Sequence, residues 1–174
     1  GKTCEEMEEN TGFKRDTAIL KDSMLDDQVR NAYDACQRYD RDNPGRPTTP
    51  LVFPKPPSTI IYASLEAEPK EVTDLVARIK ALGETHPLAN QIAPLEQAVA
   101  ECKAALSELT DAITDEGTAK TTLIIAKMNL RRQYEQNIYN AASTFGKEYS
   151  ERLFPAIAKP SKKAAKENAA DADQ

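Results

Sequence analysis

Residues 88–113 read LANQIAPLEQAVAECKAALSELTDAI, the most regular apolar pattern in the chain. Within them Leu88, Ile92, Leu95, Val99, Cys102, Leu106, Leu109 and Ile113 recur at alternating steps of 4 and 3 residues. An α-helix turns once in about 3.6 residues, so this spacing lines the eight side chains along one face as a heptad seam. Pro94 suits the first turn of such a helix, where its missing amide has no intrahelical partner. Ala98, Ala100, Ala104, Ala105 and Ala112 flank the seam and leave room for a second helix to approach closely. An apolar seam needs a partner helix to cover it, so the stretch points to an all-α fold.

The rest of the composition agrees. Hydrophobic residues are 40% of 174, but aromatics are 6% and Trp is absent, so the core must be aliphatic. β-branched, aromatic and turn residues are too sparse for a large β domain. No run of 18 apolar residues exists, and the longest candidate, residues 123–128, is interrupted by Lys127. The expectation is a soluble protein, with a targeting segment removed before Gly1 left open. The net charge of −5 disfavours nucleic acid or an anionic membrane as partner.

Outward from the seam, Thr114-Asp115-Glu116-Gly117-Thr118 has turn composition, and continuing the heptad places Glu116, Lys120 and Lys127 on the core face. The reading is therefore a hairpin, with Thr118 capping a fourth helix over roughly 119–153 that ends before Pro155 and Pro160. Its apolar face is Leu123, Ile124, Met128, Tyr134, Ile138, Ala141, Ala142, Phe145, Tyr149 and Leu153. Residues 88–116 hold one lysine and six acids, whereas residues 118–154 hold six bases and three acids, which suits antiparallel pairing of the two.

Toward the N-terminus, Pro69 opens a second helix with Val72, Leu75, Val76, Ile79 and Leu82 as its stripe and Gly83 as its stop. Residues 43–68 form a Pro-rich extended crossover or strap, with six prolines among residues 43–58. Leu51, Val52 and Phe53 within it need covering, and the Thr59–Ala63 stretch has strand character. Residues 16–42 are the first helix, capped by Asp22 or Ser23 and carrying Met24, Leu25, Val29, Ala32, Tyr33, Cys36 and Tyr39. Residues 1–15 are an acidic N-terminal arm or frayed helix, residues 69–154 the helical hairpin core, and residues 155–174 a flexible, disordered C-terminal tail with nothing large and apolar to bury. The whole reads as an antiparallel helical hairpin within a roughly four-helix bundle.

Chemistry is limited by the side chains available. One histidine, His86, cannot supply the paired Glu-x-x-His motifs of a di-iron bundle or a Cys/His zinc site. Cys4, Cys36 and Cys102 are odd in number and widely spaced, which favours reduced thiols and a reducing compartment, with one disulfide as the alternative in an exported chain. Gly1-Lys2-Thr3 resembles the end of a phosphate loop but lacks the upstream strand and glycine. Glu5, Glu6, Glu8 and Glu9 read as a solvated charge run rather than a cation site. Arg131 and Arg132 beside Tyr134 and Tyr139 are a basic-aromatic combination, yet Tyr134 falls on the core face. No catalytic, metal or cofactor-binding residue is expected, and no cofactor.

The candidate partner-contact residues are Leu51, Val52, Phe53, Ile60, Ile61 and Tyr62 in the crossover, and Tyr134, Ile138, Phe145 and Tyr149 on the fourth helix. The crossover residues suit strand addition to a neighbour, and the aromatic helical face suits an interface core. The leading expectation is a non-enzymatic structural or assembly subunit whose partner is itself or another protein, as a homo-oligomer, particle or filament component. The alternative is a monomeric helical adaptor. A ligand carrier or an enzyme with a pocket hidden between helices ranks third.

Overall fold

The computed structural model describes residues 3–154 of the 174. Every regular element among them is helical: α1 (Cys4–Asp42), α2 (Thr49–Val52), α3 (Ser58–Ile61), α4 (Glu68–Lys80), α5 (Ile92–Phe145) and α6 (Lys147–Leu153), with a 3₁₀ turn at Pro87–Gln91 before α5. The all-α expectation holds. The chain divides into two compact units, Gly1–Thr121 and Thr122–Gln174. The expected tail, 155–174, lies outside the described residues, as do Gly1 and Lys2.

In the first unit, α1 begins twelve residues earlier than the apolar spacing suggested. Thr3 and Glu6 form a reciprocal cap: the Glu6 amide donates to Thr3 Oγ1 at 3.2 Å, and the Thr3 amide donates to Glu6 Oε2 at 2.7 Å. Two of the four orphan amides of a helix start are satisfied this way. Acids in the first turn also suit the positive end of the helix dipole. The acidic arm is therefore the opening of α1, and Asp22 and Ser23 are interior residues of that helix rather than caps.

Helix α1 buries Thr11, Ala18, Leu25 and Ala32 at seven-residue intervals, with Val29 and Cys36. Its partner is the N-terminal part of α5, which buries Leu95, Val99, Cys102, Ala105 and Ala112. The pairing is antiparallel: Lys120 meets Glu8 at 3.0 Å, the Thr11 hydroxyl reaches the Ala112 carbonyl at 3.3 Å, Lys14 meets Glu108 at 2.6 Å and Lys21 meets Glu101 at 2.8 Å. Of the seam acids, Glu101 and Glu108 thus meet lysines of α1, and Glu96 meets Lys80 of α4 at 2.7 Å. Glu116 meets Lys120 within the same helix rather than across a hairpin.

The expected hairpin turn at 114–118 is absent. Helix α5 runs unbroken through it. The threonines that gave the segment its turn composition bond back one turn instead, Thr114 Oγ1 to the Thr110 carbonyl and Thr118 Oγ1 to Thr114, and Thr121 Oγ1 just beyond bonds to Gly117, each at 2.9 Å. A hydroxyl bonded to its own i−4 carbonyl is compatible with a helix interior. The Glu116–Lys120 pair, one turn apart at 2.7 Å, supports the same stretch.

Helix α4 completes the core. It starts within one residue of the expected position, with Pro69 in its first turn, and buries Val72, Leu75, Val76 and Ile79 against Leu25, Val29, Ala32 and Cys36 of α1 and Leu95, Val99 and Cys102 of α5. Three long helices, not four, surround this core. Gly83 takes φ 104°, a left-handed conformation that suits glycine, and turns the chain out of α4.

The Pro-rich segment is not a strap of extended chain or a strand. Pro50 sits in the first turn of α2 and Pro57 precedes α3, positions where proline fits a helix start. Both carboxylate oxygens of Asp40 accept backbone amides here, from Thr48 at 2.6 Å and Thr49 at 2.9 Å. Arg78 of α4 donates to the Val52 carbonyl at 2.8 Å, and Phe53 meets Tyr33 edge-on at 5.2 Å between ring centres. These bonds fold the segment over one end of the bundle.

The second unit contains the C-terminal part of α5 and α6. Gly146, at φ 87°, breaks the helix that the sequence reading carried to residue 153. Helix α6 folds back so that the buried Ser150 hydroxyl donates to the Ile138 carbonyl at 3.1 Å, and Phe154 packs edge-on against Tyr134 at 5.5 Å.

Candidate interaction surface

The crossover candidates separate into core and surface. Val52, Phe53 and Ile60 are buried, and Ile61 is half-buried against the same core. Val52, Phe53 and Ile60 thus spend their apolar surface inside their own unit, and Ile61 spends part of its surface there. Leu51 and Tyr62 are exposed, but they are isolated side chains on short helices rather than a strand edge. No strand occurs among the described residues, so strand addition has no template there.

The other four candidates all fall in the second unit. Tyr134 and Ile138 are half-buried beneath α6, and Phe145 and Tyr149, exposed, lie against one another at 5.5 Å. The larger feature lies just upstream. Leu123, Ile124, Ile125, Met128 and Leu130 are all exposed, Leu130 by 71%. Leu123, Ile124 and Met128 had been read as a covered helical face. Ile125 and Leu130 fell outside that face and were missed, because a periodicity argument counts only one side of the helix. Tyr139 and Leu153 are exposed as well, and the C-terminal part of α5 displays apolar side chains on more than one of its sides. Lys127, Arg131 and Arg132 interrupt the patch, and no acid lies between residues 122 and 134.

The other chemistry-bearing side chains of the first unit serve the fold. His86 Nδ1 accepts the Leu88 amide at 3.3 Å, capping the 3₁₀ turn, while its ring lies 4.5 Å from that of Tyr39. Cys36 and Cys102 are buried free thiols, each pushed up to about 11 by burial and by nearby acids, so neither supplies a thiolate near neutrality. Among the described residues no three His, Cys, Asp or Glu side chains are arranged to hold a metal ion, and no helix is long and apolar enough to cross a membrane. One buried group has no structural partner of the usual kind: Glu68, at the start of α4, is fully enclosed and faces Asp22 and Asp26 of α1. Nothing in the sequence marked it, since an acid in the first turn of a helix is ordinary.

Comparison with protein-family models, curated proteins and solved structures yields no match.

Proposed function

We propose that this chain is a non-enzymatic assembly subunit that associates through the apolar and basic surface of residues 123–132. The observation carrying this reading is the cluster of Leu123, Ile124, Ile125, Met128 and Leu130, five exposed large apolar side chains within eight residues. Large apolar side chains left exposed in a cluster are a mark of protein–protein contact, and methionine adapts readily to such a surface. The three bases of the patch disfavour a contact in which the same face meets itself. Exposed Glu5, Glu6 and Glu9 at the start of α1 in a second copy supply the opposite charge. Contact between two different faces of identical chains closes into a ring or grows into an open filament.

Light scattering after size exclusion tests the proposal across protein and salt concentrations. The expected mass exceeds 19.2 kDa and falls as salt rises. The double variant Ile124→Glu, Met128→Glu is expected to run as a monomer with unchanged helicity. A monomeric parent at every concentration would sink self-association and leave the adaptor reading in its place.

A further inference from the structure

Asp22 and Asp26 lie one turn apart on α1, and the wholly buried Glu68 projects between them from the first turn of α4. No N–H or hydroxyl donor reaches Asp22 Oδ1, Asp26 Oδ1 or either carboxyl oxygen of Glu68. The charged and titratable groups facing the cluster are few. From α1, Arg30 touches the other oxygen of Asp26 at 3.5 Å, and Asp27 lies nearby. From α5 there is the Cys102 thiol. Three ionised carboxylates against one guanidinium would repel, most strongly at the enclosed Glu68, and buried acceptors without donors are costly. The Glu68 carboxyl is within hydrogen-bonding reach of both Asp22 and Asp26, so a retained proton supplies the donor that the protein does not.

We propose that Asp22, Asp26 and Glu68 form a proton-operated latch, which holds the start of α4 against α1 and loosens when that proton is lost. Burial first, and then the two aspartates, push the Glu68 carboxyl up to about 9; burial raises Asp26 as well. An unfolded glutamate releases its proton at its ordinary value, so between there and about pH 9 the folded chain binds a proton that the unfolded chain does not. Stability from the latch is therefore greatest in acid and declines as pH rises through that window. Loosening would uncover the α4 stripe of Val72, Leu75, Val76 and Ile79, which makes the bundle responsive to mildly alkaline conditions.

The test compares thermal melts of the full chain from about pH 5 to pH 10, in chelator, for the parent, Glu68→Gln and Asp22→Asn. Glutamine keeps the shape and donates permanently to both aspartates. The parent and Glu68→Gln melting curves are expected to meet in acid and diverge as pH rises, with the variant the more stable. Asp22→Asn removes one repelling charge and is expected to move the decline to lower pH at the Glu68 titration while softening it. Infrared spectra at neutral pH should show the carbonyl stretch of a protonated carboxylic acid in the parent and not in Glu68→Gln. If that variant does not fold, the parent spectrum and Asp22→Asn still decide. Parallel melting curves, or a parent without the acid band, would overturn the latch. So would magnesium or calcium raising the parent's melting temperature and flattening its pH dependence, because a cation would then occupy the place given to the proton.

Discussion

The Thr11 hydroxyl of α1 lies 3.3 Å from the Ala112 carbonyl oxygen of α5. A side chain reaches the backbone of a neighbouring helix only where the two helices are close, and here the facing residues are small: Thr11 and Ala18 on α1, Ala105 and Ala112 on α5. Ala112→Leu should therefore destabilise by about 1–3 kcal/mol through overpacking. Ala104→Leu, on the exposed side of the same helix, should stay within about 0.5 kcal/mol. Urea unfolding of the two variants measures the difference, and equal midpoints would contradict the close pairing.

The seam itself is not uniformly deep. Leu95 is fully buried, whereas Leu106 is half-buried at the edge of the core. Leu95→Ala should cost about 2–5 kcal/mol, and Leu106→Ala clearly less. The reverse order in chemical denaturation would place the core on the other side of the seam.

Gly117 lies inside α5, and a Cβ added there meets nothing within 4 Å. Glycine in a helix interior is less favourable than alanine by about 1 kcal/mol, so Gly117→Ala should raise stability by up to that amount. A turn requiring a left-handed glycine at this point would respond oppositely, with a fall in melting temperature.

Asp40 titrates in the opposite sense to Glu68. Burial resists its charge, but donors from Thr49 and Thr48 outweigh that and hold its carboxyl below the usual carboxylate range. Its contribution is fully present above the ordinary aspartate value and is lost as pH falls through the lowered one. Asp40→Asn should lower the neutral-pH melting temperature and flatten the acid limb of the melting curve. An unchanged acid limb would show that the two amide bonds carry little of the fold at this corner.

The elements legible in the sequence were those whose signal is local. Pro69 and Gly83 bracket α4, and the aliphatic spacing of Val72 to Ile79 is enough to orient it. The heptad in α5 was visible, but its depth was not. Past Cys102 the buried side chains are Ala105 and Ala112, on the side where Thr11 of α1 reaches the Ala112 carbonyl, and not Leu106 and Ile113 as the heptad suggested. The Thr3–Glu6 cap stands in the sequence as T-x-x-E, but no apolar run follows it to mark a helix start. Threonine-rich turn composition at 114–118 misled because hydroxyls can bond back to their own helix. In the crossover, β-branched Ile60 and Ile61 suggested a strand, but Pro57 just before them begins a helical turn.

The candidate surface was half legible. Tyr134, Ile138, Phe145 and Tyr149 do share one unit, yet α6 covers the first two, because Gly146 folds the chain back onto its own helix. The Asp22–Asp26–Glu68 cluster was not legible at all. Its members are 42 and 46 residues from one another across α1 and α4, and only tertiary packing brings them together.

Hydrogen exchange read by mass spectrometry at high and low protein concentration tests the assembly reading most directly. Amides of residues 123–132 should be protected at high concentration and exchange freely on dilution, while the α1, α4 and N-terminal α5 core exchanges equally in both. Identical exchange of residues 123–132 at the two concentrations, or concentration-dependent protection confined to the core helices, would contradict it.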